Sequence, residues 1–327
     1  MRALLLATAL LAAHSSGVRE PAGQASEQIP QPEAAAPRVL ASAERDCTVS
    51  WVHDYRSLDL MADAADLIVR AQVVGQDVVQ LRAFGANGRV SLRDARRTTV
   101  RVLETLKGAA EPLVRVIEDV CPGLEDKPGD EWILFLGTPF DPKYGPDDPR
   151  VHRFTVGGPQ GQFRIRASRI AGPFFAFQHV VREYGGTAAG ELLADLRAVR
   201  PLDLGPSRSL LERAGWAVLA RGDVDDIRLP ADFAQPARFG DLPFHVFADA
   251  SRRAGHDLAP FAGRTLRAVS YLLELDRPST EKQYRATVLH SQGAVVGTWI
   301  TVGHNIGDGE IYAVTERDAA LAARGRR

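Results

Sequence analysis

The chain holds 327 residues, 45% of them hydrophobic and 25% charged, with 40 Lys and Arg against 41 Asp and Glu. That length suits two domains of about 150 residues each, and the balanced charge lacks the cation excess of a general nucleic-acid binder. The composition also excludes an acidic disordered tail. Two cysteines exclude a four-cysteine zinc site and a disulfide-dense mini-protein.

Met1-Arg2, the apolar run Ala3–Ala13 and His14-Ser15-Ser16-Gly17 are the parts of a secretory signal peptide over residues 1–17. Cleavage after Gly17 and cleavage after Ala25 both suit small-residue rules. A membrane span needs about 20 apolar residues, and no later segment approaches that, so no span is expected after signal removal. Residues 18–45 are rich in Pro, Ala, Gln and Glu without a period of 2 or 3.6, and predict a disordered spacer. The expected location is periplasmic or extracellular. In such an oxidising compartment Cys47 and Cys121 are the expected disulfide partners, worth about 4 kcal/mol in the chain-entropy model. The alternative is two separate buried thiols.

Ser57 predicts the cap of a short helix carrying Leu58, Met61, Ala64 and Ala65. Strands are predicted at Leu67–Val74, Thr98–Leu106, Leu113–Val120, Glu131–Leu136, Val151–Val156 and Gln162–Ile170. The run Trp132-Ile133-Leu134-Phe135-Leu136 is apolar enough to be central and buried. Turn signals separate the strands at Gly85–Gly88, Lys107-Gly108, Pro128-Gly129 and Gly157-Gly158-Pro159. A helix from Thr187, with Leu192, Leu193, Leu196 and Val199 on one face, ends before Pro201.

The order of these features carries a resemblance. Cys47, Ala65-Asp66-Leu67-Ile68-Val69, Val102-Leu103-Glu104-Thr105-Leu106-Lys107-Gly108, Val120-Cys121-Pro122-Gly123-Leu124, Pro128–Phe135 and Gly158–Phe163 resemble the netrin-like module. That module is shared by tissue inhibitors of metalloproteinases and many bacterial exported proteins. The resemblance implies an OB-type β-barrel with a flanking helix over residues 46–200. Inhibitors of that family chelate a protease zinc through the amino group and carbonyl of an N-terminal cysteine. Cys47 is the only counterpart, and it departs from the pattern: a spacer precedes it, so its nitrogen is an amide, and no Cys-x-Cys pair is present.

In the second half, Ser209-Leu210-Leu211-Glu212 has capping-box spacing for a helix ending at Gly215. Trp216–Leu219 and Asp226–Pro230 predict strand, and Asp241–Ala254 predicts a helix ending at Gly255. Leu266–Leu275, Tyr284–His290 and Ala294–Val302 predict strands, the last two joined by a tight Ser291-Gln292-Gly293 turn. The expected architecture for residues 207–316 is a small α+β domain with an antiparallel sheet, followed by a tail over 317–327. Leu211–Trp216, Ile227–Phe233, Ala254–Gly263, Arg264–Tyr271 and Val295-Val296-Gly297 resemble the domain-of-unknown-function family forty-eight thirty of exported bacterial proteins. That family has no established activity, so the resemblance implies a fold. After Gly297 the sequence departs from the family pattern.

No His-Glu-x-x-His, Gly-x-Ser-x-Gly, P-loop or EF-hand string occurs. His256-Asp257 is a weak acid–base candidate set against a hydrogen-bonded loop histidine. Asp141, Asp147 and Asp148 lack the alternation of a calcium loop. Gly157–Gly161 reads as a glycine turn before an anion cradle. Phe174, Phe175 and Phe177 form a dense aromatic run, either core or a binding surface. No metal or cofactor is implied. The expected function is an exported, non-catalytic binding or scaffold protein whose partner is another exported protein or an envelope polymer, with no nucleic acid involved. The alternatives are a protease inhibitor acting through the barrel and an envelope hydrolase with an unrecognised site.

Overall fold

The computed structural model describes residues 55–84, 90–119, 126–137, 153–156, 161–171, 179–236, 242–273, 283–303 and 309–324. The expected signal peptide, the spacer, Cys47, Cys121, the acidic loop of Asp141, Asp147 and Asp148, and Phe174, Phe175 and Phe177 lie outside these residues.

Two antiparallel sheets with flanking helices make the protein mainly β in an α+β arrangement. Helix α1 (Leu58–Ala64) starts at Ser57, whose Oγ accepts the Leu60 N–H as the sequence predicts. The first sheet contains β1 (Leu67–Phe84), β2 (Val90–Lys107), β3 (Leu113–Asp119), β4 (Glu131–Gly137), β5 (Phe154–Thr155), β6 (Gln162–Arg166) and β7 (Arg169–Ile170). Its order is β3-β2-β1-β4-β6-β7, with β5 paired to β4 beside β6. The sheet curls enough for the Ile117 N–H of β3 to donate to the Arg153 carbonyl just before β5, at 2.9 Å.

Alternation along β1 and β4 gives this sheet two apolar faces, as a period of 2 requires. Leu67, Val69, Ala71, Val73, Val100, Val114, Val116, Trp132, Leu134 and Leu136 pack together on the inner face. Ile68, Ile133, Phe135 and Phe163 point the other way, onto α1 and α3 (Ala189–Ala198). Burial on both faces explains the unbroken apolar run of β4. At one end of the inner face, the buried Arg164 guanidinium pairs with Asp126 and lies 4.6 Å above the Trp132 ring. Burial pushes the Asp126 carboxyl up, against the pull of Arg164.

Several elements of this half differ from the prediction, β1 and β2 among them, which are both longer than predicted. The stretch Gln162–Ile170 is a hairpin, β6 and β7, that turns at Ala167 and Ser168 with φ of 47° and 63°. Neither residue announces a left-handed turn, because Gly and Asn are the usual signals. Helix α2 (His179–Tyr184) is separate from α3, and a side-chain bond from the Tyr184 hydroxyl to Asp195 ties the two together.

The second sheet contains β8 (Val218–Arg228), β9 (Thr265–Leu273), β10 (Gln283–Ser291), β11 (Ala294–Gly303) and β12 (Glu310–Tyr312), ordered β12-β11-β10-β9-β8. Helix α4 (Gly205–Arg213) starts four residues before the predicted capping box, since Pro206 suits a first turn and Asp203 Oδ1 takes the Gly205 N–H at 2.9 Å. Gly215 and Gly255, at φ of 85° and 90°, follow α4 and α5 (Phe244–Arg253) as expected of C′ glycines. Gln292 and Gly293 both have positive φ, which makes the predicted tight turn between β10 and β11. Helix α5 buries Phe244 and Phe247 against Trp299 on one face of this sheet. Residues set aside as a tail form α6 (Arg317–Arg324), which buries Ala320 and Ala323. The other face of the sheet, through Val269, Tyr271, Leu273, Tyr284 and Ile300, joins the same apolar core as α1, α3 and the first sheet.

Candidate functional site

The outer face of β1, β2 and β3, away from the inner core, carries the most organised exposed surface among the described residues. Gln72, Arg101 and Leu113 stand opposite one another across the three strands, and Gly75, Thr99 and Arg115 form the next row. The β1–β2 register slips between Val73 and Gly75 and again between Arg70 and Ala71. The slips leave Val74 on β1 and Leu103 on β2 without direct opposite partners. A bulge re-aims the residue it leaves over, and both side chains face solvent. Val74, Leu103 and Leu113 are 43%, 45% and 51% exposed. The exposed Arg101 and Arg115 lie among them. Three large aliphatic groups around two guanidinium groups make a mixed apolar and cationic surface of the kind that contacts a partner.

At the end of β2, α1 gathers charges from both sheets. The buried Asp63 carboxylate accepts the Leu202 N–H at 2.7 Å and pairs with Arg267 of β9, whose Nε also donates to Asp226 at 2.7 Å. The carbonyls at the helix end, Ala62 and Ala64, accept from Lys107 Nζ and from Arg221, so cations from both sheets offset the negative end of the helix. Arg221 also pairs with Asp66 at 2.7 Å. Burial, reinforced by Arg221, brings the Lys107 amine down to about 8. Lys107 lines a groove of about 310 Å³ between β2 and α3, bridged by the Arg197–Glu104 ion pair at 2.6 Å.

Sequence inspection missed a buried pair, Ser207 of α4 and His290 of β10. Ser207 Oγ lies 2.6 Å from His290 Nε2, and the two residues are 0% and 2% exposed. The ring also faces the backbone of Gly293 in the turn that follows β10. Burial pushes the imidazole below its ordinary value, which keeps it neutral at pH 7. A hydroxyl and an imidazole at this distance are two parts of a nucleophilic site; here both are buried. Their separation of 83 positions leaves no local signal that could have found them.

His256 and Asp257 fall in the loop after α5. Asp257 Oδ1 accepts the Ala259 N–H at 3.0 Å and thereby starts a single 3-10 turn (Ala259–Phe261). The backbone of His256 is tied to Ser251 at both its N–H and its carbonyl. Among the described residues, no group of three or more His, Cys, Asp or Glu side chains could hold a metal ion. Among the described residues, no helix is long and apolar enough to cross a membrane.

Residues 210–300 match the family described as Domain of unknown function (DUF4830), a stretch that runs from within α4 to within β11. No curated protein and no solved structure matches the chain.

Proposed function

We propose that this chain is an exported, non-catalytic binding protein whose first half is an OB-type module of the netrin-like kind. On this reading another exported protein docks on the outer face of β1–β2–β3. The observation that carries it is the cluster of Val74, Leu103 and Leu113 around Arg101 on one sheet face, two of them turned outward by bulges. The strand order supports the module: the β3-β2-β1-β4 path, with β5 beside β4 and the Ile117–Arg153 bond drawing β3 to β5, is the path of a small closing barrel. The family-matched half, joined to the first through α1, is then the scaffold that holds this face open. The signal segment of residues 1–17 and the Cys47–Cys121 bond belong to the same proposal.

The test starts from the secreted or periplasmic fraction of cells expressing the full chain. A mature N-terminus at Val18 or Ser26 is expected, and an intact Met1 in the cytosolic fraction would reject export. A photo-crosslinking residue at position 103 should then give a discrete protein adduct in that fraction, abolished by Leu113→Asp. An adduct unchanged by Leu113→Asp, or none at all, would reject the docking face.

A further inference from the structure

Of the 40 cationic side chains in this chain, four are lysines, at positions 107, 127, 143 and 282. Arginines otherwise serve the junction of the two sheets: Arg221 donates to the Ala64 carbonyl, and Arg267 pairs with Asp63. Lys107 stands at the end of β2, opposite Ile68 of β1, and its Nζ donates to the Ala62 carbonyl at 2.7 Å. An arginine would answer that carbonyl as Arg221 answers Ala64. A lysine differs in one respect that matters chemically: an ammonium can release a proton, and a guanidinium does not.

The surroundings of Nζ favour that release. The carboxylates that act on it, Asp63 and Asp66, are committed to Arg267 and Arg221. They still draw the amine upward, but burial and the Arg221 charge outweigh them and bring it to about 8. Roughly a quarter of such a side chain is neutral at pH 7.5. A neutral amine in a partly desolvated setting is a nucleophile. The groove beside it holds about 310 Å³, at the small end of ligand-sized clefts of about 300–1,000 Å³. Ile68 and Leu196, both buried, give it an apolar lining that Val199 and Pro201 continue. The exposed Thr105 and the Arg197–Glu104 ion pair complete it.

We propose that the Lys107 groove takes up a small aldehyde with an apolar body and holds it as an imine on Nζ. The neutral amine adds to the carbonyl carbon, forming the C–N bond, and the carbonyl oxygen leaves as water. One proton from solvent balances the step, and the product is a protonated imine; no oxidant or reductant takes part. The product selects the ligand class. A protonated imine keeps a positive charge and one N–H on the nitrogen, which the Ala62 carbonyl at the negative end of α1 and the carboxylates of Asp63 and Asp66 already compensate. An acyl donor would leave a neutral amide there, and carbon dioxide would leave an anionic carbamate against the helix end. The apolar lining then receives the carbon skeleton. None of these residues belongs to the Val74, Leu103 and Leu113 cluster, so the site stands or falls apart from the docking face.

The experiment incubates the purified full chain at pH 7.5 with hexanal and sodium cyanoborohydride, which traps the imine as an N-hexyl amine, and locates the label by peptide mass spectrometry. Label on Lys107 should saturate with hexanal and exceed that on the exposed Lys127 about tenfold. Acetaldehyde carries the same carbonyl without the apolar body, and should lower the Lys107-to-Lys127 ratio about threefold or more. Label that fails to saturate, spreads evenly over the two lysines, or gives one ratio for both aldehydes overturns the site, and these readings need no variant. Thr105→Trp fills the groove from an exposed position and should cut the Lys107 label about fivefold with Lys127 unchanged; full label in the folded variant overturns the groove. Without reductant, hexanal should raise the thermal midpoint of the unmodified chain and leave that of Lys107→Arg in place. An equal rise in both overturns the imine.

Discussion

Replacing Asp63 by alanine tests whether α1 is the polar link between the two sheets. Its side chain is 4% exposed and serves two partners, the Leu202 N–H at 2.7 Å and the Arg267 guanidinium. Truncation leaves a backbone donor unpaired, and it leaves Arg267 with Asp226 as its remaining carboxylate partner. Breaking a buried pair from one side costs about 3–5 kcal/mol. Arg267 keeps some solvent contact and its bond to Asp226, which places the expected loss near the lower end, about 3 kcal/mol. The control is Asp226→Ala, which removes a more exposed partner and should cost about 1 kcal/mol or less. Urea unfolding followed by circular dichroism and by tryptophan fluorescence gives both values, with coincidence of the two probes as the check on two-state behaviour. A loss below about 1 kcal/mol for Asp63→Ala, or equal losses for the two variants, would refute the idea that this carboxylate joins the halves.

Gly108→Ala should cost about 2–3 kcal/mol, because the residue has φ +77° and its new Cβ would stand 2.4 Å from the Asp66 carbonyl. Gly255→Ala, at φ +90° with open space around it, should cost only about 1 kcal/mol; thermal melts showing the reverse order would contradict the packing at Gly108. For His290 the folded pKa lies below the ordinary 6.5, so the unfolded chain binds more protons at mildly acid pH. Its contribution to stability is therefore complete above pH 6.5 and is lost as pH falls below it, by at most about 1.4 kcal/mol per pH unit. The charged neighbours Asp63, Arg267 and Asp203 are common to both proteins when urea midpoints at pH 7.5 and 5.0 are compared with those of His290→Gln. The variant should show the smaller drop, and equal drops would count against a neutral buried imidazole. Lys107 should acylate with a midpoint near pH 8 in competitive labelling read by mass spectrometry. A midpoint near 10.5 would mean that its amine is fully solvated.

Much of the fold was legible in the sequence wherever a local rule acts alone. The Ser57 hydroxyl, the leucine stripe of α3, the glycines after α4 and α5 and the Gln292-Gly293 turn each depend on neighbours a few residues away. The reading failed where distant partners overrode local pattern. The strand predicted at Leu67–Val74 stops short, since the β2 ladder carries β1 on to Phe84. Ala167 and Ser168 hold left-handed conformations because the flanking strands pair around them. The outer-face surface was out of reach for the same reason, since the bulges that expose Val74 and Leu103 are properties of strand register.

By itself, then, the sequence determined where most strands and helices lie, which run is central and buried, and which stretch matches a known family. Those properties follow from periodicity, capping and turn chemistry within short windows. Only the tertiary structure decided which polar groups meet. Asp63 reaches Arg267 across 204 positions and Ser207 reaches His290 across 83. No local propensity encodes such pairs; they arise when two sheets close on one helix and a buried polar atom must find a partner.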